Sequence, residues 1–112
     1  MNRLLREIMG PWTAYVLWVL FSDGPLRFGK LKRRMPGISS KVLTQRLRRL
    51  EAAGLVFRRY RPTVPPEVTY GLKPRGRQLS EALKSLELLA VRWATADKRK
   101  RRARASDPGT ER

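Results

Sequence analysis

Breakers divide this chain into short pieces, and that limits what it can build. Gly10-Pro11, Asp23-Gly24-Pro25, Pro36-Gly37, Gly54, the run Pro62-Thr63-Val64-Pro65-Pro66, and Pro74 each interrupt a stretch with apolar periodicity. Proline fixes φ and removes a backbone donor, and glycine favours turns and helix ends, so regular structure must stop and restart at these points. Between the first two breaks lies Trp12–Phe21, apolar on most of its sides. It predicts a helix buried on both sides, by the core and by a candidate partner subunit. At about ten residues it is roughly half of what a membrane span needs, and no membrane partner is expected.

The remaining pieces follow in order. Asn2–Met9 has an apolar edge of Leu4, Leu5, Ile8 and Met9 and predicts a short first helix. Leu26-Arg27-Phe28 reads as a very short strand. Phe28–Met35 carries Phe28, Leu31 and Met35 on one helical face, with Lys30, Lys32, Arg33 and Arg34 around the rest. After the Pro36-Gly37 turn, Ser39 is placed to cap a helix over Ser40–Ala53 whose inward stripe is Leu43, Leu47 and Leu50. Gly54 stands where a helix C-cap glycine belongs. Leu55–Arg61 and Val68–Leu72 read as two strands of an antiparallel hairpin, joined by the proline loop. Pro74 can open a last helix, where Leu79, Leu83, Leu86, Ala90 and Trp93 recur at alternating spacings of four and three.

Charge then selects the partner. The chain has 112 residues with 26 Lys+Arg against 9 Asp+Glu, a formal net charge of +17. Without the six cations of 98–104 it keeps 20 basic residues against 9 acidic, still +11, so the body is basic as well as the tail. Such an imbalance attracts polyanions, and nucleic acid is the first to consider. There is no cysteine and no histidine. Disulfides, Cys/His metal sites and Ser-His or Cys-His catalytic pairs are therefore excluded by composition. No catalytic residue, metal or cofactor is predicted, and an enzyme is not expected. No secretory signal is read, and the expected location is the cytoplasm, on the nucleoid.

Two short helices across a Pro-Gly turn, followed by a hairpin, specify a mainly α fold with a small β-hairpin wing: a winged helix-turn-helix. Residues 1–96 are expected to form its DNA-binding and dimerisation domain, and 97–112 a basic, disordered tail. In such a unit the helix after the turn enters the major groove. At 100° per residue, Lys41, Thr44, Gln45 and Arg48 lie opposite the leucine stripe. Gln45 can contact an adenine edge and Arg48 a guanine edge, while Ser39, Ser40, Thr44, Lys41 and Arg49 suit adaptable or phosphate contacts. Arg58, Arg59, Arg61 and Thr63 in the wing are candidates for backbone or minor-groove contact, or form a charged edge strand facing solvent. Trp12, Leu79, Leu83, Leu86, Ala90 and Trp93 carry more apolar surface than one small core needs, and predict a twofold dimer. The tryptophans also leave open a small apolar or aromatic effector near Trp12, Tyr15, Trp18 and Trp93, although packing accounts for them as well.

Several of these runs carry a resemblance. Gly24-Pro25-Leu26-Arg27-Phe28, Pro36-Gly37-Ile38-Ser39, the segment Leu43 to Glu51 with Gly54-Leu55, and Val64 to Tyr70 together resemble the HxlR-type transcriptional regulators of the MarR-like winged-helix superfamily. The resemblance implies a homodimer joined by its N- and C-terminal helices, bound to a pseudo-palindromic operator. It breaks at three places. Gly10-Pro11-Trp12 stands where many members have Gly-Lys-Trp, and Lys73-Pro74-Arg75-Gly76 where many have Thr-x-x-Gly. The N-terminal sensing cysteine of many members has no counterpart. The alternative is a basic architectural protein that coats DNA with little sequence preference. Its charge would be similar, but it would not need Thr44 and Gln45 aimed at bases.

Overall fold

The computed structural model describes residues 10–106 together with Arg3 and Arg6, so the helix expected over Asn2–Met9 lies largely outside the described residues. The elements are α1 (Thr13–Asp23), β1 (Leu26–Arg27), α2 (Phe28–Arg33), α3 (Ser40–Ala52), β2 (Val56–Arg61), β3 (Glu67–Leu72) and α4 (Pro74–Ser106). The chain divides into two units, Met1–Glu81 and Ala82–Arg112. The fold is a mainly helical winged helix-turn-helix.

α1 begins one residue later than Trp12–Phe21 predicts, because Trp12 takes a left-handed conformation with φ 71°. That conformation costs a non-glycine residue about 1–2 kcal/mol. The Trp12 ring offsets it by stacking on Tyr15 at 5.9 Å between centroids. It also lies over Gly37, where an added Cβ would sit 3.9 Å from the ring. α1 buries Val16, Leu17, Val19 and Leu20 in the core, but Tyr15 and Trp18 stay exposed. Within its unit the helix is thus buried on one broad side, not two. Trp12, Tyr15 and Trp18, three residues apart, form an aromatic stripe on the other.

Gly24, with φ 80°, ends α1 and donates to the Leu20 carbonyl. α2 stops at Arg33, short of the expected Met35. The turn beyond it is anchored from below, since Met35 and Ile38 are both buried and the Ile38 N–H donates to the Met35 carbonyl at 3.2 Å. α3 then starts as the sequence predicts: the Ser39 hydroxyl oxygen accepts from the Val42 N–H at 3.1 Å. Leu43, Leu47 and Leu50 are buried. The helix closes in a Schellman arrangement, with Leu55 N–H donating to the Leu50 carbonyl and Gly54 N–H to that of Glu51.

The hairpin acquires a third strand. β1 pairs antiparallel with β3, Leu26 opposite Tyr70 and Arg27 opposite Thr69, giving the order β1-β3-β2. On the other side of β3, Val56 faces Leu72, Arg58 faces Tyr70 and Arg61 faces Glu67. Tyr70 and Val56 point into the core. On the opposite face the Phe57 ring covers Gly71, occupying the space a side chain there would need. Pro74 opens α4, whose first turn approaches the α3–β2 corner closely. Lys73 N–H donates to the Leu55 carbonyl at 3.0 Å, and the buried Ser80 hydroxyl donates to the Gly76 carbonyl at 2.8 Å.

In the second unit α4 continues to Ser106, ten residues past the boundary at 96 expected for the ordered domain. Ala, Lys and Arg, which dominate this stretch, are among the strongest helix formers. Residues 107–112 lie outside the described ones.

Candidate nucleic-acid interface

The leucine stripe of α3 fixes the opposite face outward. Ser40, Lys41, Gln45, Arg48 and Arg49 are exposed there, and Thr44 is half-buried beside them. Among the described residues no ion pair involves Lys41, Arg48 or Arg49. Ser39 is exposed, but its hydroxyl oxygen is engaged as the helix cap, which leaves its proton for an outside acceptor. Arg46, on the half-buried flank, serves the scaffold instead. Its Nε donates to the Pro11 carbonyl at 2.8 Å and ties the helix to the turn before α1.

The wing presents its cations differently. Arg58, Arg59 and Arg61 are all exposed on β2. Arg58 lies 5.8 Å from the Tyr60 ring centroid and Arg59 5.2 Å from that of Phe57. A ring face orients a guanidinium without using its N–H edges. Thr63, a candidate contact residue by sequence, donates its hydroxyl to the Pro65 carbonyl at 2.8 Å and so shapes the loop. Glu67, the acid beside the proline loop at the tip of the wing hairpin, has both carboxylate oxygens 3.0 Å from Nη2 of Arg27 on β1.

Sequence reasoning did not single out the cations of the neighbouring helix. Lys30 and Arg33, with Arg27 and Thr69, line an open cleft of about 590 Å³ on the outer side of α2 and β1. Arg34 is used internally. It grips Asp23 with Nε at 2.6 Å and Nη2 at 3.1 Å, lies over Trp18 at 5.8 Å, and accepts the Tyr15 hydroxyl on its carbonyl at 3.3 Å. The Arg34 hydrogen bond holds the Asp23 carboxyl below its usual range, and Asp23 raises Arg34 in return. The only signal for this pair in the sequence was the basic run Lys30–Arg34, which does not say which member meets an acid.

Of the residues assigned to a dimer seam, Leu79 and Leu83 are half-buried and Ala90 exposed. Leu86 and Trp93 are 62% and 63% exposed, with Leu88 and Val91 similarly open beside them. Trp12 is half-buried against Tyr15 and Gly37, so part of its surface is already used.

Residues 7–98 match the family model described as HxlR-like helix-turn-helix. The chain belongs to the HxlR-like family. This is a family of transcriptional regulators, not of enzymes. An HTH-type transcriptional regulator from Methanothermobacter thermautotrophicus is 43% identical over 82 residues, covering 73% of this chain and 62% of that protein. The chain thus spans less than two thirds of that relative's length. YtfH of Escherichia coli K12 is 38% identical over 100 residues, covering 81% of this chain and 79% of YtfH. A solved structure assigned to the MarR family, from Enterococcus faecalis V583, superposes with a TM-score of 0.78 at 36% identity, covering 88% of this chain and 94% of that one. The reduced form of the regulator YodB from B. subtilis superposes at 0.70 with 30% identity, covering 80% of this chain and 91% of YodB. Membership of this HxlR-like family implies DNA binding. No helix among the described residues is long and apolar enough to cross a membrane.

Proposed function

We propose that the chain is a sequence-specific regulator that binds duplex DNA as a homodimer on a pseudo-palindromic operator, in the cytoplasm and on the nucleoid. One observation carries the reading: α3 buries Leu43, Leu47 and Leu50 and turns Lys41, Gln45 and Arg48 outward. An α-helix fits the major groove, and Gln and Arg can each contact a base edge with two hydrogen bonds. Lys41 and Arg49, with the wing arginines, supply the phosphate contacts that set register. The exposed Leu86, Leu88, Val91 and Trp93 support the homodimer, because so much unpartnered apolar surface on one helix calls for a second chain. Half-sites about one helical turn apart follow from a twofold pair of recognition helices. With no cysteine, oxidation of a thiol is not the input signal. Either a small aromatic or apolar molecule seated by Trp12, Tyr15 and Trp18 releases the protein, or occupancy follows protein level and salt.

The test starts from a site selected out of a random duplex library. Gln45→Ala and Arg48→Ala should each weaken binding to that site by about 1–3 kcal/mol, roughly 5- to 150-fold, and change binding to random duplex much less. Neither side chain is in the core, so both variants should fold as the wild type does. Equal losses on selected and random DNA would favour the architectural reading.

A further inference from the structure

Past Ala96 the helix α4 changes character. Lys98, Arg99, Lys100, Arg101, Arg102 and Arg104 lie within a single span of seven residues, with Asp97 before them and Ala103 the one uncharged interruption. All are exposed, and the segment is helical throughout. At 100° per residue these cations point to every side of the helix. No apolar stripe continues from the seam that ends at Trp93. Cations near a helix C-terminus complement its dipole, but that effect is confined to about the last turn and does not call for charge all round. Lys98 and Arg101, Lys98 and Arg102, Lys100 and Arg104, and Arg101 and Arg104 stand three or four positions apart, so like charges repel along the helix. A polyanion relieves that repulsion.

The all-round distribution decides which polyanion. A flat anionic surface meets one side of a helix, and helices that lie on membranes need an apolar face, which is missing here. A groove walled by phosphates on both sides meets cations on opposite faces together. The major groove of B-form DNA admits a helix, whereas that of A-form RNA is too deep and narrow. We infer that residues 98–104 form a second DNA contact, a helix that lies along a duplex groove flanking the site read by α3 and grips phosphates of both strands. This rests on the reading of the chain as a duplex-DNA binder. It adds affinity and footprint, not sequence preference, because contacts to phosphate carry no sequence information.

The test uses the full chain carrying Lys98→Gln, Arg99→Gln, Lys100→Gln, Arg101→Gln and Arg104→Gln. Glutamine preserves helix propensity. Arg102, which has an interaction of its own, is kept. Each cation paired with a phosphate makes affinity fall about 3.5-fold more as salt rises from about 50 to 200 mM. If the substitutions remove about three such pairings, the variant's affinity should fall about 40-fold less than the wild type's over that range. The ratio of selected-site to random-duplex affinity should not change. Hydroxyl-radical protection should disappear from the flanks and persist at the centre. Arg99→Lys, Arg101→Lys and Arg104→Lys together keep the charge and should keep the wild-type slope. Equal slopes and footprints for wild type and glutamine variant overturn the inference and leave the proposed function standing. A wild type that prefers no duplex sequence overturns the proposed function, while the slope on random duplex still decides the inference. If the substitutions weaken only binding to single-stranded RNA, the segment serves RNA and the inference fails.

Discussion

Gly76→Ala sets two physical expectations against each other. Helix propensity alone says it stabilises, because Gly76 is the third residue of α4 and alanine is the better helix former by up to about 1 kcal/mol. Packing says the reverse. A Cβ on Gly76 would run into the carbonyl oxygen of Leu55, and would lie 3.0 Å from that residue's carbonyl carbon and 3.2 Å from Cδ2 of Leu72. The first obstacle is backbone and cannot swing aside. The same carbonyl accepts the Lys73 N–H, so moving the helix away strains that bond too. Overpacking costs about 1–3 kcal/mol, and a hydrogen bond lost at this corner about 1 more. Less the propensity gain, the net is a loss of about 1–3 kcal/mol from a total typically near 5–15 kcal/mol. Urea unfolding measures it directly. Gly54→Ala is the control, with open space around its Cβ but φ at +77°, and should lose about 1–2 kcal/mol through backbone strain alone. A Gly76→Ala protein as stable as the wild type, or more so, would show that the close approach of α4 to Leu55 is misread.

Three other outcomes follow from the same geometry. Leu86→Glu with Trp93→Glu should convert a dimer to a monomer in light scattering at micromolar concentration, whereas a wild type that is already monomeric removes the homodimer from the proposal. Because Asp23 has its carboxyl lowered by Arg34, its contribution to stability is full above the ordinary carboxylate range and is lost as pH falls through the lowered value. The urea midpoint of the wild type should therefore drop more between about pH 5 and 3 than that of Asp23→Asn, and parallel curves would remove the pair from the account. Diamide should leave operator affinity unchanged in the purified protein, and a rapid loss reversed by dithiothreitol would contradict the expectation drawn from composition.

What could be read from the sequence was local. Ser39, the leucine stripe and Gly54 each act within one turn of α3, so cap, inward face and stop were all visible in the sequence. The hairpin was legible for the same reason, from alternation on either side of a proline loop. Pairings between distant segments were not. Leu26-Arg27 is too short to declare a partner, and only the fold brings it to β3. The Arg46 contact to the Pro11 carbonyl joins residues 35 positions apart, and nothing in a helical pattern separates Arg46 from the arginines around it. Trp12 looked like a helix residue because nothing in the local pattern signals its left-handed backbone. The exposed seam of α4 was visible as periodicity. Past Ala96 the charge density gave no periodicity from which to read an element.

Two of the acids are paired away from α3 and β2. Asp23 and Glu67 are held by Arg34 and Arg27, arginines that lie outside α3 and β2. Glu67 faces Arg61 across the ladder, yet it is Nη2 of Arg27 that holds both its oxygens. Arg58 and Arg59 are positioned by Tyr60 and Phe57. On the proposed reading, a carboxylate partner would cancel a charge offered to phosphate, and its removal from the arginine would have to accompany every binding event. An aromatic partner limits the rotamers of the guanidinium and leaves its charge and N–H groups outward. Lys41, Arg48 and Arg49 reach the same end by projecting from a helix whose opposite face is locked in the core. On the proposed reading, Asp23 and Glu67 thus engage arginines of the scaffold, and the rings and the buried leucines orient the cations offered to DNA.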